Sequence, residues 1–220
     1  MSGSQRKYKQ IYDISVVLGD ESVDYPGTTP YSSEMSQISI GDDIFQVSSL
    51  TMTVHHGTHV DAPSHLAVYP KTIDKYALED FVLPALVVSI KDKKSVRREE
   101  LVNLDINPGD AILFKTANST SGKATSGELH KGGIVYISVE AAEFCAQKKV
   151  KMVGIDYIGP ENPEGEPGGP VHHALFGKDI LVLEGINLKD VPSGRYTLFC
   201  LPLKIKDCEA SPVRAILIGN

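Results

Sequence analysis

The sequence predicts an α/β domain with a mainly parallel central sheet, a second, antiparallel sheet layer and helices on one face. Three observations carry that prediction. Short apolar, β-branched runs at residues 85–90, 111–116, 152–155 and 180–183 have the length of buried strands. The amphipathic stretch 139–149 leads at once into the run 152–155, and such a helix-then-strand join is the repeating unit of a parallel sheet. Glycine and proline are plentiful, at 19 and 13 of 220 residues, which marks a chain with many turns.

Taken in order, residues 11–17 read as a strand ending at Gly19. Residues 37–40 and 44–54 read as two strands turning at Gly41-Asp42-Asp43. After the strand 85–90 comes a short helix over 95–101. The turn Asn107-Pro108-Gly109-Asp110 then sets the register of the strand 111–116. Residues 118–133 are polar and rich in Gly and Ser, the composition of a surface loop. Ser138 is placed to cap the helix 139–149, whose Val139, Ala142, Phe144, Cys145 and Ala146 share one face. Lys148 and Lys149 suit its negative end. Strands at 152–155, 180–183, 196–203 and 213–218 complete the list. No repeat or linker interrupts the chain, so residues 1–220 are expected to form one domain.

Composition removes several classes of function. Lys and Arg number 22 against 28 Asp and Glu, a net charge of −6, and no basic cluster offers a nucleic-acid surface. The run Lys91 to Arg98 interleaves Asp and Ser and reads as a solvated turn. Cys145, Cys200 and Cys208 are too few and too scattered for a disulfide framework, which fits a reducing cytoplasm. The first ten residues are polar, without the apolar core of a signal peptide. Residues 81–90, the longest apolar stretch, are too short to cross a bilayer. Expected partners are a small-molecule substrate, with neither nucleic acid nor membrane.

The chemistry is concentrated in His55-His56-Gly57-Thr58-His59-Val60-Asp61-Ala62-Pro63-Ser64-His65. Imidazoles and a carboxylate are ligands for first-row divalent metals. Gly57, the β-branched Thr58 and Val60, and Pro63 argue against a helix here. In an extended chain, positions 55, 57, 59 and 61 share a face, yet 55 and 61 would stand about 20 Å apart. Convergence on one ion therefore requires a bend, and Gly57 permits it at least steric cost. On the same parity His56 points away and is expected to serve a structural role. Further ligand candidates are His172, with His173 beside it as the alternative, and Glu184 at the end of the strand 180–183. Glu161, Glu164 and Glu166 lie in a Pro/Gly-rich stretch that is expected to frame a pocket mouth, where acids pointing inward would disfavour anionic substrates; acids turned out to water in a solvated loop are the equal alternative. No Gly-x-Ser-x-Gly elbow supports a serine nucleophile. Cys145 on an apolar helix face and Cys200 in a strand are poor nucleophile candidates.

The string His55-x-Gly57-Thr58-His59-x-Asp61-x-Pro63-x-His65 resembles the signature of the cyclase-family metal-dependent hydrolases, a group that includes bacterial kynurenine formamidases. The resemblance continues in Tyr25-Pro26-Gly27, in Gly154-Ile155-Asp156, in His172 with Glu184, and in Ser211-Pro212-Val213-Arg214-Ala215. It implies a swivelling β/β/α-type fold and a site with one or two divalent ions. It makes His55, His59, Asp61, His172 and Glu184 the ligands, with Asp61 and Glu184 able to bridge, and His65 the catalytic histidine. Zinc is expected first because histidines dominate the set, with manganese as the competitor. The implied reaction is hydrolysis of a C–N amide bond, in an N-formyl aryl amide such as N-formylkynurenine or in a lactam or imide. Lactone hydrolysis, cyclisation and metal binding without turnover are the alternatives. Members are usually dimers or tetramers. Formamidases usually carry Trp before the Pro-Gly pair and Asp after it; this chain has Tyr25 and Thr28, so a substrate-stacking Tyr25 implies a different pocket.

Overall fold

The parallel strands foreseen from the apolar runs form the middle of one large sheet. The structure, a computed structural model, describes residues 10–130 and 132–219. Residues 1–9 of the polar N-terminal stretch, and Lys131 within the predicted surface loop, lie outside the described residues. In chain order the strands are β1 (Ile11–Asp13), β2 (Ser32–Ile40), β3 (Asp43–Thr51), β4 (His59–Asp61), β5 (Val82–Ser89), β6 (Ser95–Val96), β7 (Ala111–Lys115), β8 (Tyr136–Ile137), β9 (Met152–Ile155), β10 (Leu181–Glu184), β11 (Gly194–Phe199), β12 (Ala210–Pro212) and β13 (Ile216–Gly219). The helices are α1 (Ala117–Thr120), α2 (Val139–Gln147) and α3 (Pro170–Phe176).

The main sheet runs β1-β13-β11-β5-β7-β9-β10-β4-β12. Its centre, β5-β7-β9-β10, is parallel, and both flanks are antiparallel. The antiparallel strands expected in a separate layer thus mostly continue the central sheet; among the described residues only the antiparallel hairpin β2–β3 and the short parallel pair β6–β8 stand outside it. The sheet curls so that its β1 edge reaches the chain leaving β10. Ser15, beyond β1, bridges to Ile186, beyond β10, while the Ile14 amide donates to the Ala215 carbonyl and the Asn187 amide to the Ile14 carbonyl.

Every residue of β9 and β10 is buried, as a strand covered on both faces must be. Period-two alternation divides the core. Ile112, Phe114, Val153, Ile155 and Val182 pack towards α2 and α3, with Ala141, Cys145 and Leu175. Leu113, Met152, Leu181 and Leu183 fill the other side, against Leu83, Val87, Leu198 and Leu217. The α/β class predicted from sequence is the class observed.

Several boundaries differ, each for a local reason. The first strand stops at Asp13. The strand expected over 180–183 extends to Glu184, and those expected over 196–203 and 213–218 are Gly194–Phe199 and Ile216–Gly219. Helix α2 begins at the Ser138 cap, whose hydroxyl accepts from the Ala141 amide at 3.2 Å, but ends at Gln147, and Lys149 turns left-handed at φ 57°. No α-helix forms over 95–101. Asp92 Oδ1 accepts from the Ser95 amide at 3.0 Å, β6 pairs with β8, and only a 3₁₀ turn, Arg98–Glu100, follows. The expected surface loop 118–133 starts as α1 with Asn118 and Ser119 buried.

The cause of that burial is Asp156, a fully buried carboxylate after β9. It accepts from the Thr116 amide at 2.8 Å, the Thr116 hydroxyl at 2.7 Å and the Ser119 amide at 3.1 Å. The Asn118 carboxamide clasps Val135, donating to its carbonyl and accepting from its amide, both at 2.8 Å. Asp156→Ala would strand several buried donors. It is expected to lower stability by about 3 kcal/mol, read as a drop in the urea midpoint of purified protein.

Candidate metal centre

The short strand β4, which the sequence reading did not foresee, assembles the centre. It lies between β10 and β12, with His59 directly opposite Glu184 and Asp61 opposite Val182. Directly opposed residues share a face of a sheet, and so do residues two apart on one strand. His59 Nε2 consequently sits 3.3 Å from Glu184 Oε2 and 3.3 Å from Asp61 Oδ1. The expected bend is present at Gly57, with φ 67°, and it returns His55 so that Nδ1 lies 2.9 Å from Asp61 Oδ1. Helix α3 brings His172, with Nε2 3.4 Å from Glu184 Oε1 and 3.9 Å from Asp61 Oδ2. His65, in the 3₁₀ turn Pro63–His65, places its ring centroid 4.3 Å from that of His55 and 5.5 Å from that of His172.

The donor atoms fall into two groups that share Asp61, His55–Asp61–His65 and His59–Asp61–Glu184, each set lying within 4.8 Å of one another. His59 Nε2, both Asp61 oxygens, His172 Nε2 and Glu184 Oε1 are buried without a hydrogen-bond partner. A buried polar group left unpaired costs about 1–3 kcal/mol. Five such atoms clustered around Asp61 and Glu184 fit a divalent cation, and their nitrogen and oxygen chemistry suits one.

Burial opposes ionisation throughout this cluster, and the mixture of charges decides each outcome. Desolvation drives the His59 pKa down, but Asp61 and Glu184 carry it up to about 9. His172, likewise desolvated, is raised to about 10 by its contact with Glu161 and by the nearby Glu184 and Asp61 carboxylates. Desolvation would raise Asp61, yet His59, His55 and His65 hold it well below the usual carboxylate range. Desolvation and the Asp61 charge both push Glu184 up, and contacts with His172 and His59 reverse the sign, leaving it lowered. His65 is lowered by burial and by repulsion from His55 and His172, against the pull of Asp61.

The far nitrogens of three rings are tied back to the protein. His59 Nδ1 donates to the Gly57 carbonyl at 3.0 Å, and His55 Nε2 lies 3.3 Å from Glu209 Oε1. His172 Nδ1 is 2.9 Å from Glu161 Oε1, which also accepts from the His172 amide at 2.9 Å. Such contacts fix ring orientation and leave the near nitrogen free for an ion. Glu209 went unnoticed in the sequence, and Glu161 was read only as a mouth residue; nothing in their spacing signals these roles. Of the three acids in that stretch, Glu161 lines the cavity, while Glu164 and Glu166 are exposed. His173 is exposed and its Nδ1 lies 3.2 Å from the Tyr69 hydroxyl, whereas His172 is buried in the cluster. His56 points away as parity required, stacked on Tyr31 at 5.3 Å with Nε2 2.7 Å from the Ser22 hydroxyl.

Over the cluster opens a cavity of about 750 Å³, floored by His55, Asp61, His65, His172 and Glu184. Its walls are largely apolar, from Val23, Leu129, Ile134, Tyr157 and Ile158, and Tyr25, Pro26 and Thr28 stand at one side. Cys145 and Cys200 are buried in the core outside this cavity, and burial pushes the Cys145 thiol up to about 12.

A curled mixed sheet that presents a His/Asp/Glu cluster at the floor of an apolar cavity defines a hydrolase-type centre. The Cyclase family model matches residues 12–162, and the chain belongs to that family. It is 32% identical over 211 residues to the kynurenine formamidase of Bacillus mycoides (strain KBAB4), covering 96% of this chain and 98% of that relative. A solved structure described as a potential metal-dependent hydrolase with cyclase activity superposes with a TM-score of 0.79 at 30% identity, covering 96% of this chain and 99% of the other. Isatin hydrolase A from Ralstonia solanacearum shares the fold, with a TM-score of 0.79 at 21% identity over 96% of this chain and 92% of its own. The chain is an enzyme of the cyclase-family hydrolase kind.

Proposed function

We propose that His55, His59, Asp61, His172 and Glu184 hold one or two divalent ions, zinc before manganese, and that the enzyme hydrolyses the C–N bond of an N-formyl aryl amide such as N-formylkynurenine, or of a lactam or imide. The single observation that carries the reading is the set of five orphaned, buried donor atoms around the shared Asp61 carboxylate. The formamidase names of full-length relatives support the amide class. Once bound, a divalent ion lowers the pKa of a coordinated water from 15.7 towards about 7 and polarises a carbonyl.

The chain's own residues do the rest. His65 is open to the cavity, and no hydrogen bond to its side chain is found among the described residues. It is placed to take a proton from the attacking water and return it to the departing nitrogen, help worth about 10²–10⁴ in rate. The apolar walls exclude bulk water and receive an aryl ring, and Tyr25 offers a stacking face at the mouth. Glu161 holds the His172 ring in its orientation. Glu161→Ala is expected to weaken metal affinity about 10–100-fold, while Glu161→Gln, whose amide oxygen still accepts from Nδ1–H, recovers part of it. Competition against a chromophoric chelator reads both. Three free cysteines among the described residues support a reducing compartment, the cytoplasm.

The test is elemental analysis of purified protein together with N-formylkynurenine and isatin assays before chelation, after chelation, and after return of zinc or manganese. Stoichiometric ion and restorable turnover of either compound are expected. A folded chain that takes up neither metal, or holds metal and cleaves neither compound, overturns the reading.

A further inference from the structure

We propose that His56 is a positioning residue: it latches residues 17–31 in place as one wall of the cavity and so sets how tightly an aryl substrate is held. That stretch leads into β2 with neither helix nor strand of its own. It nevertheless supplies Val23, Tyr25, Pro26 and Thr28 to the cavity. Among the described residues, each hydrogen bond or ion pair that it makes with the rest of the chain ends on the His56 ring. Ser22 Oγ stands 2.7 Å from Nε2, and Asp24 Oδ1 stands 3.3 Å from Nδ1. Tyr31 stacks on the ring with 5.3 Å between centroids and 12° between planes, and its amide donates to Asp24 Oδ1 at 2.8 Å.

The ring joins the wall to the metal centre and belongs to neither. His56 follows the ligand candidate His55 in the chain, yet neither His56 nor Ser22 lines the cavity. Ser22 and Asp24 both reach the ring, and Val23 between them is buried and lines the cavity. Ser22 Oγ accepts from the Gly19 amide at 2.9 Å, which leaves its own proton for Nε2. Nδ1, facing a carboxylate, keeps the ring proton. Tyr31 closes over Gly19, where a Cβ would lie 2.6 Å from its Cε1. A segment without regular structure loses conformational freedom when a substrate orders it, and that cost is subtracted from affinity; a segment already latched avoids it. No residue of 17–31 belongs to either donor group, so loosening the wall weakens substrate binding and leaves the ion alone. The three side chains stand in the serine–histidine–aspartate order of a nucleophilic triad, but Ser22 lies outside the cavity that receives the carbonyl.

The test compares wild type with Ser22→Ala/Asp24→Ala and with Asp24→Asn, which keeps the oxygen that faces Nδ1 and accepts from the Tyr31 amide. The substrates, N-formylkynurenine and isatin, are those of the proposed function, on which the latch's role rests. Binding of 2-aminoacetophenone, an aryl ketone with no amide bond to hydrolyse, is measured beside turnover. In the double variant, KM and the Kd of 2-aminoacetophenone are expected to rise about tenfold, with kcat and metal content within about twofold of wild type. Asp24→Asn should recover most of the loss. If wild type binds 2-aminoacetophenone but turns over neither substrate, the proposed reaction fails and the Kd values alone decide the latch. If the double variant fails to fold by circular dichroism, Asp24→Ala, at an exposed position, repeats the measurements. Unchanged KM and Kd, a fall in kcat that follows metal loss, or a wild type with neither turnover nor 2-aminoacetophenone binding overturns the proposal. So does covalent labelling of Ser22 by a fluorophosphonate, which would make that serine a nucleophile.

Discussion

Asp61→Ala is expected to leave a folded protein that neither retains its metal nor turns over substrate, with activity down by about 10³-fold or more, since the lost charge stabilisation is several kcal/mol. The reason is geometric. Asp61 is the one residue common to both donor groups, and both of its oxygens are buried without a partner. Its removal takes the shared carboxylate from both donor groups and leaves the imidazoles of His55 and His59 to repel one another. His65→Ala makes the informative contrast. If His65 moves protons, that variant keeps its ion and loses about 10²–10⁴ in kcat. One of its ring nitrogens also lies within 4.8 Å of donor atoms of His55 and Asp61, close enough to share an ion with them. Metal loss in His65→Ala equal to that in Asp61→Ala would therefore make His65 a ligand and leave the proton-transfer role without its residue.

What the sequence made legible was local chemistry with a short-range cause. The spacing from His55 to His65, with a glycine where the chain has to turn, identified both the cluster and its bend. Parity separated His56 from its neighbours. The residues it did not reveal act through contacts distant in the chain. Glu161 and Glu209 reach the cluster from eleven and 154 residues away from the histidines they hold. In the fold, buried runs such as residues 111–116 and 152–155 were readable because both faces of a parallel strand are apolar. The strand β4 was hidden, because its polar ends belong to the site and its β-sheet character comes wholly from β10 and β12 on either side. The exposed hairpin was legible as two strands, but its separation from the core was not, since its alternation is that of any half-buried sheet.

Gly185 supplies the second large effect. It follows Glu184 directly and takes φ 64°. A Cβ at this position would lie 2.3 Å from the Gly57 carbonyl oxygen and 2.9 Å from its carbon, both backbone atoms. The two glycines thus clamp the bend that returns His55 to the turn that ends β10. Thr58 ties the same joint, its hydroxyl donating to the Gly185 carbonyl at 2.5 Å and accepting from the Val16 amide at 3.0 Å. In Gly185→Ala the left-handed backbone alone costs about 1–2 kcal/mol. Relieving the clash requires the two backbones to part, which pulls His59 away from Glu184. The total is expected to exceed about 4 kcal/mol, in the range reserved for strain and overpacking combined. Gly27→Ala provides the control, because Gly27 also has a positive φ, 84°, but a Cβ there meets nothing within 4 Å. It should cost only the backbone strain of about 1–2 kcal/mol. Urea midpoints of the two variants, with metal content measured alongside, decide the matter. Equal destabilisation in both would mean that the Gly57–Gly185 contact does not hold the centre together.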